Sequence, residues 1–286
     1  MPMSVTPPAI EKEVALVEWL KCRGSVLVGF SGGVDSAYLA CVALGALGAE
    51  NVLAVIGRSA SYPMEQWTRA RAVADRFGVP VLEIDTDELH DPRYAANPSN
   101  RCYFCKTELW SRLVPVARER GLAVVVDGTN ADDGRGHRPG KGAAVEQGVR
   151  SPLAELGFTK DDIRVLSRER GIPTWSQPSS PCLASRLPYG TEVTVERLAT
   201  VEAAERALRQ IGVAGDLRVR HFGAVARLEL SLAELARWRT AEGRRAVRAA
   251  VTSAGFSAVE FDLRGFRSGS MNHAHEQPLV EALGAA

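Results

Sequence analysis

Three cysteines of this chain have a spacing that suggests metal or sulfur chemistry. Cys102 and Cys105 form a Cys-x-x-Cys pair, and Cys182 lies far downstream in the sequence Ser-Pro-Cys-Leu-Ala-Ser-Arg. A Cys-x-x-Cys pair holds two sulfurs close enough to share a metal or exchange a disulfide, whereas a distant third cysteine joins such a site only through the fold. The pattern therefore predicts metal or sulfur chemistry if folding brings the cysteines together.

Several interpretations of these cysteines stay open on the residues alone. A structural zinc ion normally takes four ligands, and no paired histidine stands beside the cysteines, although His90 and His137 remain candidates. Three thiolates can instead hold a four-iron cluster that leaves one iron free of protein ligands and able to bind an extra sulfide. A thiol or persulfide role without a cluster, or coincidence in loops, is the alternative. Soft ligands favour iron–sulfur chemistry without compelling it.

The sequence Ser-Gly-Gly-Val-Asp-Ser at residues 31–36 predicts a phosphate site. It follows an apolar run at 26–30 and opens an apolar-patterned segment at 37–47, so a strand passes into a helix here. Such a turn aims backbone N–H groups and the positive end of the helix dipole at one point. The glycines allow close approach of the main chain, and the hydroxyls add donors. The Gly-Lys-Ser/Thr ending of a Walker A loop is absent, which argues against γ-phosphate transfer.

The elements that must position these residues alternate along the chain. Apolar runs at 26–30, 52–56, 81–84 and 123–126 are separated by helical stretches. This order predicts an α/β fold with a parallel sheet covered on both faces. Helices are predicted near 63–77, ended by Gly78, and from the capping box at Thr159 to Gly171.

The second half of the chain has a different organisation. We expect a long loop at 127–147, because that stretch is rich in Gly, Asp and Arg. A Ser-, Pro- and Gly-rich stretch then predicts a boundary between a domain of residues 1–175 and one of 176–286. After it, the order helix, strand (217–222), strand (225–230), helix (232–254), strand (258–263) predicts a smaller α+β domain.

Bulk composition limits the class of protein. The chain has 286 residues, 45% of them hydrophobic, and a formal net charge of +1. It shows neither a signal-peptide pattern nor a long apolar span, so we expect a cytoplasmic protein without a membrane partner. A net charge near zero gives little support to a nucleic-acid partner. The two remaining cysteines, Cys22 and Cys41, sit in apolar helical patterns and are interpreted as core residues, not as a disulfide framework.

Strand, phosphate loop and helix together resemble the PP-loop ATP pyrophosphatases, which include GMP and NAD synthetases, argininosuccinate synthetase and tRNA thiolation enzymes. The resemblance implies that ATP is split between its α and β phosphates, with AMP passing to a substrate oxygen. Within that group an ordered set of motifs is similar to the LarE family. The motifs lie at residues 31–36, 102–106, 128–133, 138–140, 150–153, 182–186, 188–190 and 265–272.

The LarE family consists of pyridinium-3,5-biscarboxylic acid mononucleotide sulfurtransferases, which build the nickel-pincer cofactor of lactate racemase. The resemblance implies adenylation of a pyridinium carboxylate, attack by a protein-held sulfur and release of a thiocarboxylate. Some members sacrifice the sulfur of the cysteine matching Cys182. Others add a Cys-x-x-Cys and bind a [4Fe-4S] cluster that delivers a sulfide. This chain has all three cysteines, so the resemblance implies the cluster type, with ATP and Mg²⁺ as further cofactors and a homo-oligomeric assembly.

The resemblance also assigns residues to roles. Asp35 is expected to act through Mg²⁺, although an acid that satisfies the helix dipole is the simpler alternative. The arginines are candidates because planar forks suit phosphate and carboxylates. Gly57 and Arg58, just after the second strand, are placed to contact adenine or ribose, although a strand-to-helix turn is the simple alternative. The expected ATP contacts are Ser31, Gly32, Gly33, Asp35, Ser36, Gly57, Arg58, Gly128, Thr129 and Asn130. The expected substrate contacts are Lys106, Arg186, Arg218, Arg220 and Arg267. Glu202, Glu205 and Asp262 are acidic candidates among which the sequence does not choose.

Two rival functions remain at this stage. A tRNA thiolation enzyme also combines a PP-loop with three cysteines and a cluster, but a basic RNA-binding face is then expected. A zinc-stabilised nucleotide-binding protein without sulfur transfer is the second rival.

Overall fold

The computed structural model describes residues 6–135, 139–178, 180–267, 269–273 and 279–283. The chain divides into two compact units, the first running up to Asp91 and from Asn100 to Ser180 and the second comprising Pro92–Ser99 and the chain from Pro181 onward. The predicted boundary after residue 175 differs from this division in two ways. The break falls at Ser180, and residues 92–99 belong to the second unit, where the Asn97 carbonyl accepts a 2.9 Å hydrogen bond from the Gly190 amide.

The first unit is built on a parallel sheet, which confirms the predicted α/β fold class. Its strands stand in the order β3-β2-β1-β4, and β1 pairs in parallel with both of its neighbours. The strands are β1 (Val26–Gly29), β2 (Val52–Arg58), β3 (Val81–Asp85) and β4 (Val124–Val126).

Helices cover both faces of this sheet. Because side chains alternate along a strand, Val26 and Val28 join the apolar core on one face and Leu27 joins the core on the other. Within the described residues no helix has the length and hydropathy needed to cross a membrane. The helices up to residue 169 are α1 (Pro7–Lys21), α2 (Val34–Leu47), α3 (Met64–Phe77), α4 (Pro92–Ala95, in the second unit), α5 (Arg101–Glu119), α6 (Gly140–Glu146), α7 (Pro152–Glu155) and α8 (Lys160–Glu169).

Two local expectations had different outcomes. The capping box at the start of α8 is present, since Asp162 accepts a 3.0 Å hydrogen bond from the Thr159 amide and the Thr159 hydroxyl accepts one from the Asp162 amide.

The prediction of a long loop at 127–147 is wrong in part, because this stretch contains α6. A Cβ on Gly140 would lie 2.9 Å from Cγ of Lys106. The glycine that reads as a loop signal therefore lets α6 approach α5 closely.

The second unit carries a separate mixed sheet of order β5-β6-β7-β8, in which only the β6–β7 pair is parallel. The helical stretch predicted at 232–254 is two helices, because Thr240 starts a new one by accepting a hydrogen bond from the Gly243 amide. The elements are α9 (Val195–Gln210), β5 (Leu217–Phe222), β6 (Val225–Leu230), α10 (Leu232–Trp238), α11 (Ala241–Ser253), β7 (Ala258–Asp262) and β8 (Val280–Ala282).

Candidate active site

A cavity of about 350 Å³ lies at the carboxyl edge of the first sheet. It opens beside the ends of β1 and β4, where the strand order reverses direction, and this is the place where open α/β sheets bind ligands. Its lining comes from the loop after β1, the loop after β4, α5 and the start of α6. The lining residues include Ser31, Asp35, Ser36, Cys102, Lys106, Asp127, Gly128, Thr129, Asp133 and Lys141.

Residues 31–36, which we call the phosphate loop, are held in shape mainly by hydroxyl groups. The Ser36 hydroxyl accepts a hydrogen bond from the Ser31 amide and donates one to the Gly33 carbonyl, both at 3.2 Å. The Ser31 carbonyl accepts from Tyr62 Oη at 2.9 Å and from Gln66 Nε2 at 2.8 Å. In the described part of the chain no side chain caps the N-terminus of α2. Its first amides therefore face the cavity as donors for an anion.

The glycines of the site serve different purposes. Gly32 has φ +69°, and a Cβ there would lie 2.5 Å from the Ala70 Cβ of α3. Gly33 has room, since the nearest described atom to a Cβ there is Ser31 Oγ at 3.5 Å. A Cβ on Gly128 would meet the Ser36 amide nitrogen at 2.8 Å. Gly32 and Gly128 thus permit close packing around the phosphate loop, whereas a Cβ on Gly33 would make only an ordinary van der Waals contact.

Asp35 is paired with a residue that sequence reasoning missed. Its Oδ2 lies 2.5 Å from Nζ of Lys160, the first residue of α8. Burial raises the pKa of Asp35, and the Lys160 ammonium opposes that shift. Oδ1 is buried without a hydrogen-bond partner of good geometry among the described residues, so it fits a cation such as Mg²⁺. A lysine at a helix N-terminus is unfavourable because its charge opposes the helix dipole. This unusual position is the feature of the sequence that could have pointed to a carboxylate partner for Lys160.

The turn after β4 is shaped by Asp127, a second residue absent from the predicted set. Asp127 Oδ1 accepts from the Thr129 amide at 3.0 Å and from the Ser151 hydroxyl at 2.7 Å, and Oδ2 accepts from the Thr129 hydroxyl at 2.8 Å. Asn130 is buried, and its Oδ1 accepts from the Asp132 amide at 2.9 Å. These bonds fix the backbone that lines the cavity, and the predicted Thr129 and Asn130 are part of that support.

Gly57 and Arg58, which were expected just after the second strand, lie inside β2. A Cβ on Gly57 would sit 2.5 Å from Leu109 Cδ1, so this glycine lets α5 pack on the sheet. Arg58 Nη1 donates to Glu83 Oε2 at 3.2 Å. Arg58 also lines a second cavity, of about 410 Å³, together with Tyr62 and other residues after β2 and β3.

The Cys-x-x-Cys pair occupies the first turns of α5. Residues three apart share a helix face with Cβ atoms about 5–6 Å apart, so Cys102 and Cys105 are placed as a pair of soft ligands. Cys102 is exposed and lines the same cavity as the phosphate loop. Lys106 Nζ lies 4.9 Å from the centre of the Trp110 ring. This donor pair fits the ligand chemistry of an iron–sulfur cluster.

Other metal ligands do not assemble in the described ranges. Among those residues no three His, Cys, Asp or Glu side chains are grouped so as to hold a metal ion. His90, one zinc candidate, hydrogen-bonds Asp87. The other candidate, His137, lies outside the described residues, as do Arg138 and Ser268 of the motifs.

Cys182 belongs to the second unit and directly precedes a 3₁₀ turn at Leu183–Arg186. Arg186, expected to bind substrate, is 2% exposed. Its Nε and Nη2 donate to the two carboxylate oxygens of Glu205 at 2.9 and 3.0 Å. Its Nη1 donates to the Pro181 carbonyl at 2.6 Å and to the Cys182 carbonyl at 3.1 Å. The guanidinium is thus engaged within the unit, and Glu205 is its partner.

The other candidate arginines of this unit have distinct surroundings. Arg220 is buried and donates to Glu229 at 2.7 Å and to the Ser185 carbonyl at 2.9 Å. Burial, together with the Arg186 charge, lowers the pKa of Arg218 to about 10. Arg218 and Arg220, two residues apart on β5, thus bring buried positive charge close to that of Arg186.

The acidic candidates are partly distinguished by their contacts. Arg267 Nη2 donates to Asp262 Oδ2 at 3.2 Å, and Asp262 Oδ1 accepts from the Arg264 amide at 2.9 Å. Asp262 thus supports the turn after β7, while Glu205 supports Arg186. Glu202 lies on α9, as Glu205 does.

Comparisons with known proteins agree with this arrangement. The NAD synthase family matches residues 12–113, which include the phosphate loop. An uncharacterized protein of Synechocystis sp. is 42% identical over 86% of this chain and 91% of its own length. The pyridinium-3,5-bisthiocarboxylic acid mononucleotide synthase of Lactiplantibacillus plantarum is 38% identical over 91% of this chain and 94% of its own length. With the phosphate loop and the cysteine motifs in place, the chain belongs to the LarE family of PP-loop proteins.

Proposed function

We propose that this chain is an ATP-dependent sulfurtransferase that adenylates a carboxylate of a pyridinium mononucleotide and converts it to a thiocarboxylate in nickel-pincer cofactor biosynthesis. The observation that carries the proposal is a single cavity lined by both the phosphate loop and Cys102. The L. plantarum relative, whose name gives the bisthiocarboxylic acid mononucleotide as its product, supports this substrate class. A carboxylate resists nucleophiles, whereas an acyl adenylate has a good leaving group that sulfur can displace.

The residues of the cavity suit the adenylation half of the reaction. The amides at the start of α2 and the hydroxyls of Ser31 and Ser36 would hold the pyrophosphate that leaves. Asp35 would take Mg²⁺ through the buried Oδ1, and Lys106 would neutralise phosphate or carboxylate. Arg58, which lines the second cavity and not this one, is proposed to contact adenine or ribose. In this proposal ATP is cleaved between the α and β phosphates, and AMP passes to a substrate oxygen.

The second half of the reaction needs a sulfur donor. In our proposal Cys102, Cys105 and Cys182 hold a [4Fe-4S] cluster, and such a cluster, when bound, would supply a sulfide through an iron free of protein ligands. The i, i+3 placement of the first two thiols on α5 supports this ligand set. The alternative is that Cys182 gives up its own sulfur.

Binding of the substrate anions is proposed for arginines of the second unit. Burial, together with the charges of Arg186 and Arg220, lowers the pKa of Arg218 to about 10, and an added phosphate or carboxylate would offset the repulsion between these charges. Arg220 and Arg267 are the neighbouring candidates for the same anions. We further propose that the protein acts in the cytoplasm as a homo-oligomer.

The test is anaerobic turnover with ATP and the pyridinium biscarboxylic acid mononucleotide, compared with unmodified tRNA as substrate. Thiocarboxylate, AMP and pyrophosphate should form only with the nucleotide, and thiolation of the tRNA would overturn the proposal. Iron and acid-labile sulfide per chain should fall to background in Cys102→Ala, Cys105→Ala and Cys182→Ala. The control Cys22→Ala should keep them, because Cys22 follows α1 and is exposed, not the core residue that the sequence predicted.

The same variants separate the two sulfur sources. Multiple turnovers by the wild-type protein with added sulfide, lost in each of the three variants, are expected for the cluster. Full activity of the Cys102 or Cys105 variant, with one sulfur lost from Cys182 per turnover, would instead establish the sacrificial route.

A further inference from the structure

Residues 181–186, which we call the Cys182 turn, are fastened to the second unit through their carbonyl oxygens. Arg186 Nη1 donates to the carbonyls of Pro181 and Cys182. The Cys182 carbonyl also accepts from the Ser185 amide at 3.0 Å, and the Leu187 amide donates to the Ala184 carbonyl at 3.2 Å. The guanidinium of Arg186, the last residue of the turn, thus holds the backbone of Cys182, which carries the thiol, and of Pro181 before it.

Arg186 itself is fixed from elsewhere in the unit. Its other edge makes the bidentate pair with Glu205 on α9, and the two side chains are 3% and 18% exposed. Glu205 Oε1 also accepts a 3.0 Å hydrogen bond from the Val219 amide of β5. A planar fork that is bound on both edges has little rotational freedom. The chain of contacts therefore runs from β5 and α9 through Arg186 to the backbone of Cys182.

A second buried arginine holds the same turn. Arg220 Nη1 donates to the Ser185 carbonyl, while Nη2 donates to Glu229 and to the Ser270 hydroxyl, and that hydroxyl donates to Glu229 at 2.7 Å. Three carbonyls of a six-residue segment are thus bound by guanidinium groups whose positions are set by carboxylates.

From this geometry we infer that Arg186, with Glu205, is a positioning residue that orients the Cys182 sulfur, and that it is not a substrate-binding fork. A fork for an incoming anion needs donors that face the ligand. In Arg186 the Nε and both Nη atoms already donate to Glu205 or to the turn. The inference rests on the proposed function in that the Cys182 sulfur is one of the three ligands of the cluster that would supply the sulfide.

Positioning of this kind acts on kcat more than on substrate affinity. Transfer of sulfur to an acyl carbon requires near-attack placement, and a displacement of about 1 Å far from the reacting atoms can lower the rate by about 100-fold. With the carbonyls released, the backbone at Cys182 would sample other φ and ψ values and would displace the thiol, and with it the cluster that the thiol would help to hold. Substrate contacts elsewhere would be unchanged.

The experiment compares Arg186→Lys and Glu205→Gln with Arg209→Lys. Arg209 is a matched control, because it lies on α9 and donates to the Val213 and Gly215 carbonyls of a different loop. Amide hydrogen exchange of the 180–188 peptide and the rate of Cys182 alkylation are measured without ATP or substrate. Alkylation uses a Cys22→Ser, Cys102→Ser, Cys105→Ser background, in which Cys41 reacts slowly because burial raises its pKa to about 11.

We expect faster exchange of the Ser185 and Leu187 amides and an altered Cys182 alkylation rate in both test variants, with the control unchanged. With the intact cysteines, kcat should fall by roughly tenfold or more, the loss associated with a charged hydrogen bond, while KM for the pyridinium nucleotide stays within about twofold. If Arg186→Lys does not fold, Glu205→Gln, which keeps the side-chain volume and one acceptor, decides by the same measurements.

Two results would overturn the inference. A rise in KM with unchanged exchange and alkylation would make Arg186 a substrate fork, and unchanged values throughout would give it no role. Because exchange and alkylation need no turnover, they remain informative even if the wild-type protein makes no thiocarboxylate. Failure of the proposed function is thereby distinguished from failure of the positioning role.

Discussion

The phosphate loop and the Cys182 turn are two short segments of small residues that are held in shape by different means. In the phosphate loop, Ser36 binds residues within five positions of itself, and among the described residues Tyr62, Gln66 and Lys160 reach in from further along the chain. In the Cys182 turn the carbonyls are bound by buried guanidinium groups, of which Arg220 and its carboxylate partner come from a remote sheet.

The difference teaches where each segment is vulnerable. A loop stabilised by its own hydroxyls and backbone depends on glycine geometry, and losing one hydrogen bond removes about 0.5–1.5 kcal/mol. A turn fastened by buried ion pairs depends on partners that cannot be removed singly, because the remaining charge is left without compensation in a dry environment. We therefore expect mutations around the turn to have larger effects on stability than mutations around the loop.

The largest effect is expected for Glu229→Ala. Arg220 and Glu229 are 6% and 3% exposed, so the substitution leaves a buried guanidinium unpaired and should lower the free energy of unfolding by about 3–5 kcal/mol. The control is Glu65→Ala, which breaks an exposed i, i+4 pair with Arg69 and should change it by about 0.3–0.5 kcal/mol. Urea unfolding followed by circular dichroism measures both. Equal effects would remove the contrast between the two regions.

The two glycines of the phosphate loop should separate packing from ligand binding. Gly32→Ala places a side chain at φ +69° and against Ala70, so we expect a loss of stability of about 1–3 kcal/mol. A Cβ on Gly33→Ala would make an ordinary van der Waals contact with Ser31 Oγ at 3.5 Å, so the variant should leave the melting temperature nearly unchanged while weakening pyrophosphate binding, measured by calorimetry. A reversed pattern, with Gly33→Ala the less stable variant, would contradict the assignment of Gly32 to packing and Gly33 to ligand binding.

The Asp35–Lys160 pair gives a pH prediction. Burial raises the pKa of Asp35 and the Lys160 ammonium opposes the shift, so Lys160→Met should raise that pKa further. As pH falls, the carboxylate then protonates sooner, and Mg-ATP binding should be lost at a higher pH than in the wild type. Lys12→Met, which removes the partner of Asp162, is the control. If the pH at which Mg-ATP binding is lost does not rise in Lys160→Met, Asp35 does not govern that binding.

The smallest effect is expected for Tyr62→Phe. The variant loses one hydrogen bond to the Ser31 carbonyl, while Gln66 still donates to the same oxygen. The Kd for ATP should rise by a few fold, in line with about 0.5–1.5 kcal/mol for one such bond. A change beyond about 100-fold would mean that the phosphate loop, like the Cys182 turn, depends on a distant anchor.

Much of the first unit could be predicted because its signals are local. Strand runs, the capping box at Thr159 and the phosphate loop each depend on residues that are neighbours in sequence. α6 was missed, because Gly140 was interpreted as a loop signal although the fold uses it for close approach to Lys106. The division of the structure also differs from the predicted boundary at residues 92–99, because their partners near Gly190 lie far along the chain.

The sequence by itself determined the parallel α/β architecture, the phosphate loop, the presence of three candidate sulfur ligands and the family. Only the tertiary structure decided which charges meet. It paired Lys160 with Asp35, across 125 residues, and turned Arg186 from an expected substrate ligand into a group bound on both edges inside the second unit. The physical reason is that the side-chain periodicity of a helix or strand is visible within a few neighbouring residues of the sequence. An ion pair, by contrast, forms wherever folding brings opposite charges together away from water.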